Sequence, residues 1–110
     1  MGLDMYGYRK RQHERDGSAF TRSNRIHYWR KHYGLRNWMI ERFVIDDSES
    51  GFLQELTLVD VDELARVVKA GMLDNSPAAI IPYQSDDLAF LRKAHAALAE
   101  GSRIYISADW

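Results

Sequence analysis

Hydrophobic and polar positions alternate at both ends of the chain. In LDMYGYR, residues 3–9, Leu3, Met5 and Gly7 fall on one side and Asp4, Tyr6 and Tyr8 on the other. In RIYISADW, residues 103–110, Ile104, Ile106 and Ala108 alternate with Tyr105, Ser107 and Asp109. A period of two is the mark of a strand with one buried face. Between these ends the period lengthens. Ser23 is placed to cap a helix over 24–33, on which Ile26, Trp29, Arg30 and Tyr33 share a face and which Gly34 ends. Leu35, Trp38, Met39 and Arg42 predict a second helix over 35–45. The alternative is a single helix running through Gly34, at a cost of about 1 kcal/mol. FLQELTL, 52–58, is compatible with a strand. Asp60 and Glu63 have capping-box spacing before a helix over 61–71 with Val61, Leu64, Val68 and Met72 on its stripe. Ser85 opens a helix over 86–100 whose inner stripe is Leu88, Leu91, His95 and Leu98, and Gly101 stops it. The polar stretch 10–22 contains Asp16-Gly17 and reads as a mobile loop. Residues 46–51 read as an acidic turn, and 73–84, with both prolines, as an irregular connection.

These elements predict one α+β domain over residues 1–110: a small three-stranded sheet in the order β-α-α-β-α-α-β with helices on one face. Three strands cannot bury both faces, so the helices are expected to cover only one. Leu3, Met5, Ile104, Ile106 and Ala108 then face the helices. Asp4, Tyr6, Tyr8, Tyr105, Ser107 and Asp109 crowd the opposite face, and a sheet left open there predicts a homo-oligomer.

Composition narrows the setting. The absence of cysteine excludes disulfides and thiolate metal sites and fits a reducing compartment. No apolar run approaches the roughly 20 residues needed to cross a bilayer, and the start has no signal-peptide core. A cytoplasmic protein without a membrane partner is expected. Net charge is −1, but residues 1–43 hold ten Lys/Arg against four Asp/Glu, and residues 44–110 hold five against twelve. Either the two halves attract one another within one fold, or the first half forms a basic surface for phosphate or nucleic acid.

The densest chemistry lies in YWRKHYGLRNWM, residues 28–39. Trp29 and Trp38 are expected in the core, where aromatics contribute most burial. Arg30 is either a structural bridge to Asp4 or Asp109, or a phosphate fork with Lys31 beside it. Asn37 either bonds the Gly34 turn or reads a base edge. Tyr6, Tyr8, Tyr105, Tyr28 and Tyr33 offer stacking faces for bases or an interface between copies. His27 and His32, five apart, do not share a helical face as metal-ligand pairs do, and His95 reads as a core histidine. No catalytic motif, metal site or cofactor motif is legible. The candidate ligand-binding set is therefore Asp4, Tyr6, Tyr8, Arg30, Lys31, Asn37, Tyr105, Ser107 and Asp109.

The opening MGLDMYGY, the YWRK with Asn37-Trp38 six residues on, and the closing YISADW together resemble a group of small proteins encoded by tailed phages and prophages. The resemblance covers about half the chain, and Gly7 departs from it, since a bulkier residue is common there. It implies a small α+β fold and a protein acting in the host cytoplasm, but no activity. With the clustered arginine and aromatic residues, it leads to the expectation of a non-enzymatic anti-defence binding protein that sequesters a nucleotide signal. The alternatives are an inhibitor that occludes a host defence protein or its nucleic-acid site, and a small enzyme acting on a phosphate-bearing substrate.

Overall fold

The two alternating ends of the chain are neighbours. In the structure, a computed structural model that describes residues 2–15, 20–73 and 83–110, β1 (Asp4–Lys10) and β4 (Arg103–Asp109) pair antiparallel from Asp4 opposite Asp109 to Lys10 opposite Arg103. β2 (Arg25–Arg30) flanks β1, and β3 (Gly51–Leu56) flanks β4. The sheet is fully antiparallel in the order β2-β1-β4-β3. The helices are α1 (Tyr33–Phe43), α2 (Leu58–Lys69) and α3 (Gln84–Ala99), and a 3-10 turn at Arg22–Asn24 precedes β2. The fold is α+β, but with four strands rather than three.

The extra strand corrects the helix expected over 24–33. RIHYWR satisfies both periods over six residues, and its aromatic and β-branched content suits a pleated surface. Tertiary contacts decide between them. As a strand, the segment turns Trp29 inward, where its ring meets Phe90 at 4.8 Å and its Nε1–H donates to Asp87. Tyr28 and Arg30 then turn outward and are exposed.

The core lies between the sheet and the helices. Leu3, Met5, Trp29, Leu56, Ile104, Ile106 and Ala108 meet Leu35 and Met39 of α1, Val61, Leu64 and Val68 of α2, and Phe90, Leu91 and Ala94 of α3. Gly7 is what lets α3 sit so close. A Cβ there would lie 2.5 Å from the Phe90 ring, so this ring fills the space that a larger residue on β1 would take. Gly34 is not a helix stop but lies inside the first turn of α1, where a Cβ would fall on the Leu73 carbonyl. α1 is instead capped by His32, whose side chain accepts from the Leu35 N–H, and it ends at Val44 in the left-handed region. Trp29 is buried, whereas Trp38 is only half-buried, edge-on to Phe43 and beneath Arg42.

Other boundaries shift for local reasons. α2 begins at Leu58 because Thr57 and Asp60, not Asp60 and Glu63, form the reciprocal capping box. Glu63 pairs with Arg66, and Met72 is exposed rather than on the inner stripe. α3 starts at Gln84 with no side-chain cap from Ser85. His95 is not in the core, since it bonds Asp62 of α2 at 2.8 Å with 40% of its side chain exposed. The stretch 10–22 is anchored in its described parts. Glu14 accepts from Asn24 and from the backbone of Arg11, and Phe20 packs edge-on against Tyr8 and Tyr105. Residues 16–19, and most of the connection expected at 73–84 (residues 74–82), lie outside the described residues.

The two outer strands differ at their edges. On β2 the Ile26 carbonyl accepts from Lys93 and the Arg30 carbonyl from the Tyr83 hydroxyl. On β3, Gln54 bonds the neighbouring Glu55 carbonyl.

Candidate functional site

The face turned away from the helices is built in rows by the strand register. The first row is Arg30, Asp4, Asp109 and Gly51; the second is Tyr28, Tyr6, Ser107 and Leu53. Below them, after an irregularity between Gly7 and Tyr8, come Arg25, Tyr8, Tyr105 and Glu55, and then Lys10 opposite Arg103. Seven of the nine residues expected to bind a ligand therefore share this face: Asp4, Tyr6, Tyr8, Arg30, Tyr105, Ser107 and Asp109.

Their availability differs. Tyr8 is buried beneath Phe20, which also stands edge-on to Tyr105. The second row is open. Tyr28 is 45% exposed, and its ring lies 5.1 Å from that of Tyr6 at a tilt of 31°. The Arg25 guanidinium sits 3.9 Å from the centre of the Tyr6 ring, a cation–π contact that holds a charge over the platform. Leu53 adds an exposed apolar side chain at the β3 end.

The first row decides the fate of Arg30. The expected bridge to Asp4 or Asp109 is not made. Asp4 instead accepts the Tyr28 hydroxyl at 2.6 Å, and among the described residues Arg30 has no acidic partner. That bond to a carboxylate holds the Tyr28 hydroxyl pKa above its ordinary value, with desolvation adding to it. The guanidinium of Arg30 is left with its paired donors facing solvent, the arrangement that matches phosphate or carboxylate oxygens. Asp4 and Asp109, directly opposite one another, supply acceptors beside it.

Buried chemistry fixes this row from beneath. The residues on either side of Arg30 and Lys31 are tied to one carboxylate. Trp29 Nε1–H donates to Asp87 at 3.0 Å, and His32 Nε2 lies 3.0 Å from both Asp87 oxygens. Because His32 Nδ1 accepts from the Leu35 N–H, its proton is placed on Nε2, which donates to Asp87. His32 and Asp87 are both buried, and the Tyr83 ring stacks on His32 at 4.1 Å. The end of β2 and the start of α1 are thereby pinned to α3.

Lys31 and Asn37 do not join the face. Lys31 takes a left-handed conformation (φ 58°) in the turn after β2, its N–H bonded to the Leu3 carbonyl. Asn37 lies on α1, accepts from Arg36 and lines a separate cleft with Trp38, Glu41 and Met72. Arg25, Phe20 and Leu53 belong to the face and were missed. A strand reading of 25–30 would have pointed to Arg25, while Phe20 arrives from a loop with no pattern. Among the described residues, no group of three or more His, Asp or Glu is placed to hold a metal ion, and no helix is long and apolar enough to cross a membrane.

Compared with known proteins, the chain matches no family model, no curated protein and no solved structure.

Proposed function

We propose that this protein is a non-enzymatic binding protein that holds a nucleotide ligand, free or within a single strand, on the open face of its sheet. Tyr28 is the stacking ring, Arg30 the phosphate fork, and Asp4, Ser107 and Asp109 the polar groups at the base edge. The observation that carries the reading is the coexistence, on one side of the sheet, of an exposed Tyr28 beside the half-buried Tyr6 ring and an exposed arginine with no acidic partner among the described residues. An antiparallel sheet with aromatics on its open face suits unstacked bases, because every base has a ring face to stack. Asn37 lies in a separate cleft, so Arg30 acts with the sheet tyrosines and not with Asn37. In the phage setting that the sequence resemblance implies, such a surface sequesters a nucleotide signal or covers a nucleic-acid site of the host defence.

The test is fluorescence anisotropy with short labelled oligonucleotides, competed by mononucleotides. Tyr28→Ala is expected to weaken binding by the roughly 1–3 kcal/mol of one stacked base, with an unchanged melting temperature. Arg30→Ala is expected to weaken every sequence alike. Absence of binding at millimolar ligand and low salt sinks the proposal.

A second reading uses the same rows. Tyr and Arg are enriched at interfaces, and the exposed Leu53 at the platform's β3 end favours contact with a second copy. Light scattering separates the two. A dimer that Tyr28→Ala and Leu53→Lys dissociate, and that oligonucleotide leaves intact, supports the interface and not the ligand.

A further inference from the structure

The helical layer carries a cleft that the tyrosine platform does not use. It lies between α1 and the end of α2. Tyr33, Asn37, Trp38 and Glu41 line it from α1, and Met72 and Leu73 from the residues after α2, around a volume of about 530 Å³. That is the size of a small-molecule site, which spans roughly 300–1,000 Å³. The spacing along α1 builds it. Tyr33, Asn37 and Glu41 stand four residues apart and form one stripe, with Trp38 beside it, three before Glu41. Two large apolar side chains reach solvent at this cleft, Tyr33 with 48% exposed and Met72 with 52%. Apolar groups gathered at a concave surface mark a binding site more often than singly exposed ones do.

We propose that this cleft binds a small alkylammonium ion, a cation whose nitrogen carries alkyl groups. Glu41 supplies the charge. Among the described residues its carboxylate makes no ion pair and no hydrogen bond. The cations nearest to it in the chain are engaged elsewhere. Arg42 donates to Asp60 at 2.9 Å, and Arg36 lies over the Trp110 ring and donates to Asn37. Lys69 of α2 lines a different hollow, with Leu88 and Arg92. An anion in the cleft meets a carboxylate of its own sign. A neutral apolar ligand strips water from that carboxylate and gives nothing back. A cation does both jobs, since it pairs with Glu41 and fills the space.

The rings select the kind of cation. Positive charge is drawn to the face of an aromatic ring, and ammonium ions dressed in alkyl groups are the ligands that such rings recognise. The Arg42 guanidinium stands 5.5 Å from the Trp38 ring centre, whereas the Tyr33 ring meets no other ring and no cation among the described residues. Tyr33 is therefore the face open to a ligand. Met72 and Leu73 receive the alkyl groups. Asn37 uses its oxygen to accept from Arg36, which leaves its amide N–H donors for a hydroxyl or carbonyl on the same ligand. None of these residues belongs to the sheet, so the site does not rest on the nucleotide reading.

The experiment is an NMR titration of the protein with choline chloride, at ionic strength matched with sodium chloride. It is repeated with the uncharged carbon analogue of choline, in which a tert-butyl group replaces the trimethylammonium. Choline is expected to shift the amides of Tyr33, Asn37, Glu41 and Met72 saturably, and to bind at least fivefold more tightly than the analogue. Glu41→Gln and Tyr33→Ala are each expected to weaken choline at least threefold. Their melting temperatures should hold, because neither side chain bonds another described residue. If Tyr33→Ala fails to fold, Glu41→Gln still decides. Equal binding of choline and its analogue overturns the proposal, since the charge then has no part. Unchanged affinity in Glu41→Gln, shifts spread over the whole surface, or no shift at tens of millimolar choline overturn it as well.

Discussion

Asp87 is a buried carboxylate that ties β2 and the start of α1 to α3. It accepts from Trp29 and His32 at once, in a buried setting. Asp87→Ala leaves two donors without an acceptor at roughly 1–3 kcal/mol each, and urea titration should report a loss of about 3–5 kcal/mol. Asp87→Asn keeps an acceptor and should lose clearly less. His27 makes a second prediction. Burial pulls its pKa below the usual value, with Lys93 acting in the same direction, and outweighs the Asp86 carboxylate 3.7 Å away and the charge of Asp87. Its Nε2 is buried without a hydrogen-bond partner among the described residues. With the folded pKa below the unfolded one, near 6.5, the unfolded chain binds the proton more readily. The neutral ring's contribution is therefore complete above that value and is lost as pH falls through it, fully so below the folded pKa. Unfolding free energies measured between pH 7.5 and 5 should fall, and His27→Gln should flatten that slope. At this scale the sequence showed which residues share the open face, because alternation alone sorts them. It did not show that Asp4 would take the Tyr28 hydroxyl and not Arg30, since the register sets Arg30 directly opposite Asp4 and the bond to Tyr28 is made diagonally by the side chains.

Elements were legible where one period ruled. β1, β4 and, Met72 aside, the stripe of α2 follow directly from their spacing. β2 was hidden because six residues satisfy two periods, and what decides is Asp87, more than fifty residues away. α1 was misplaced by its glycine, since Gly34 serves a close approach to Leu73 and not a helix end. Gly7 is the same case in the sheet, and it yields an element-scale prediction. Gly7→Ala drives a methyl into the Phe90 ring and should cost about 1–3 kcal/mol, as overpacking does. Phe90→Leu alone should also destabilise the protein. The double variant should be more stable than the sum of the two single losses predicts, because the smaller side chain leaves room for the methyl. A double-mutant cycle by thermal or urea unfolding reads that coupling, and strict additivity would show that β1 and α3 adjust independently.

At the scale of the molecule, the cations of the first half divide between contacts within the fold and the open side of the sheet. Some cations of the first half hold the fold together. Arg42 bonds Asp60 of α2, and Arg36 lies over the Trp110 ring. Others, Arg25 and Arg30 on the face and Lys10 and Arg11 at its end, lie along one side of the sheet. Oligonucleotide binding should accordingly weaken with salt. Two or three neutralised phosphates give a log–log slope of roughly −1.4 to −2.1, and Arg30→Ala should remove about 0.7 of it. A salt-independent affinity would place the binding energy elsewhere.

The unequal edges have a consequence for growth. An unprotected outer strand is a template on which further chains add. Among the described residues, a newcomer at β2 has to displace Lys93 and Tyr83, whereas at β3 it meets Gln54. Two copies joined by a two-fold axis through their β3 strands form one continuous eight-stranded sheet, and both ends of that sheet are β2. In such a pair each copy would spend the margin that recruited it, which would leave no β3 edge from which a fibre could grow.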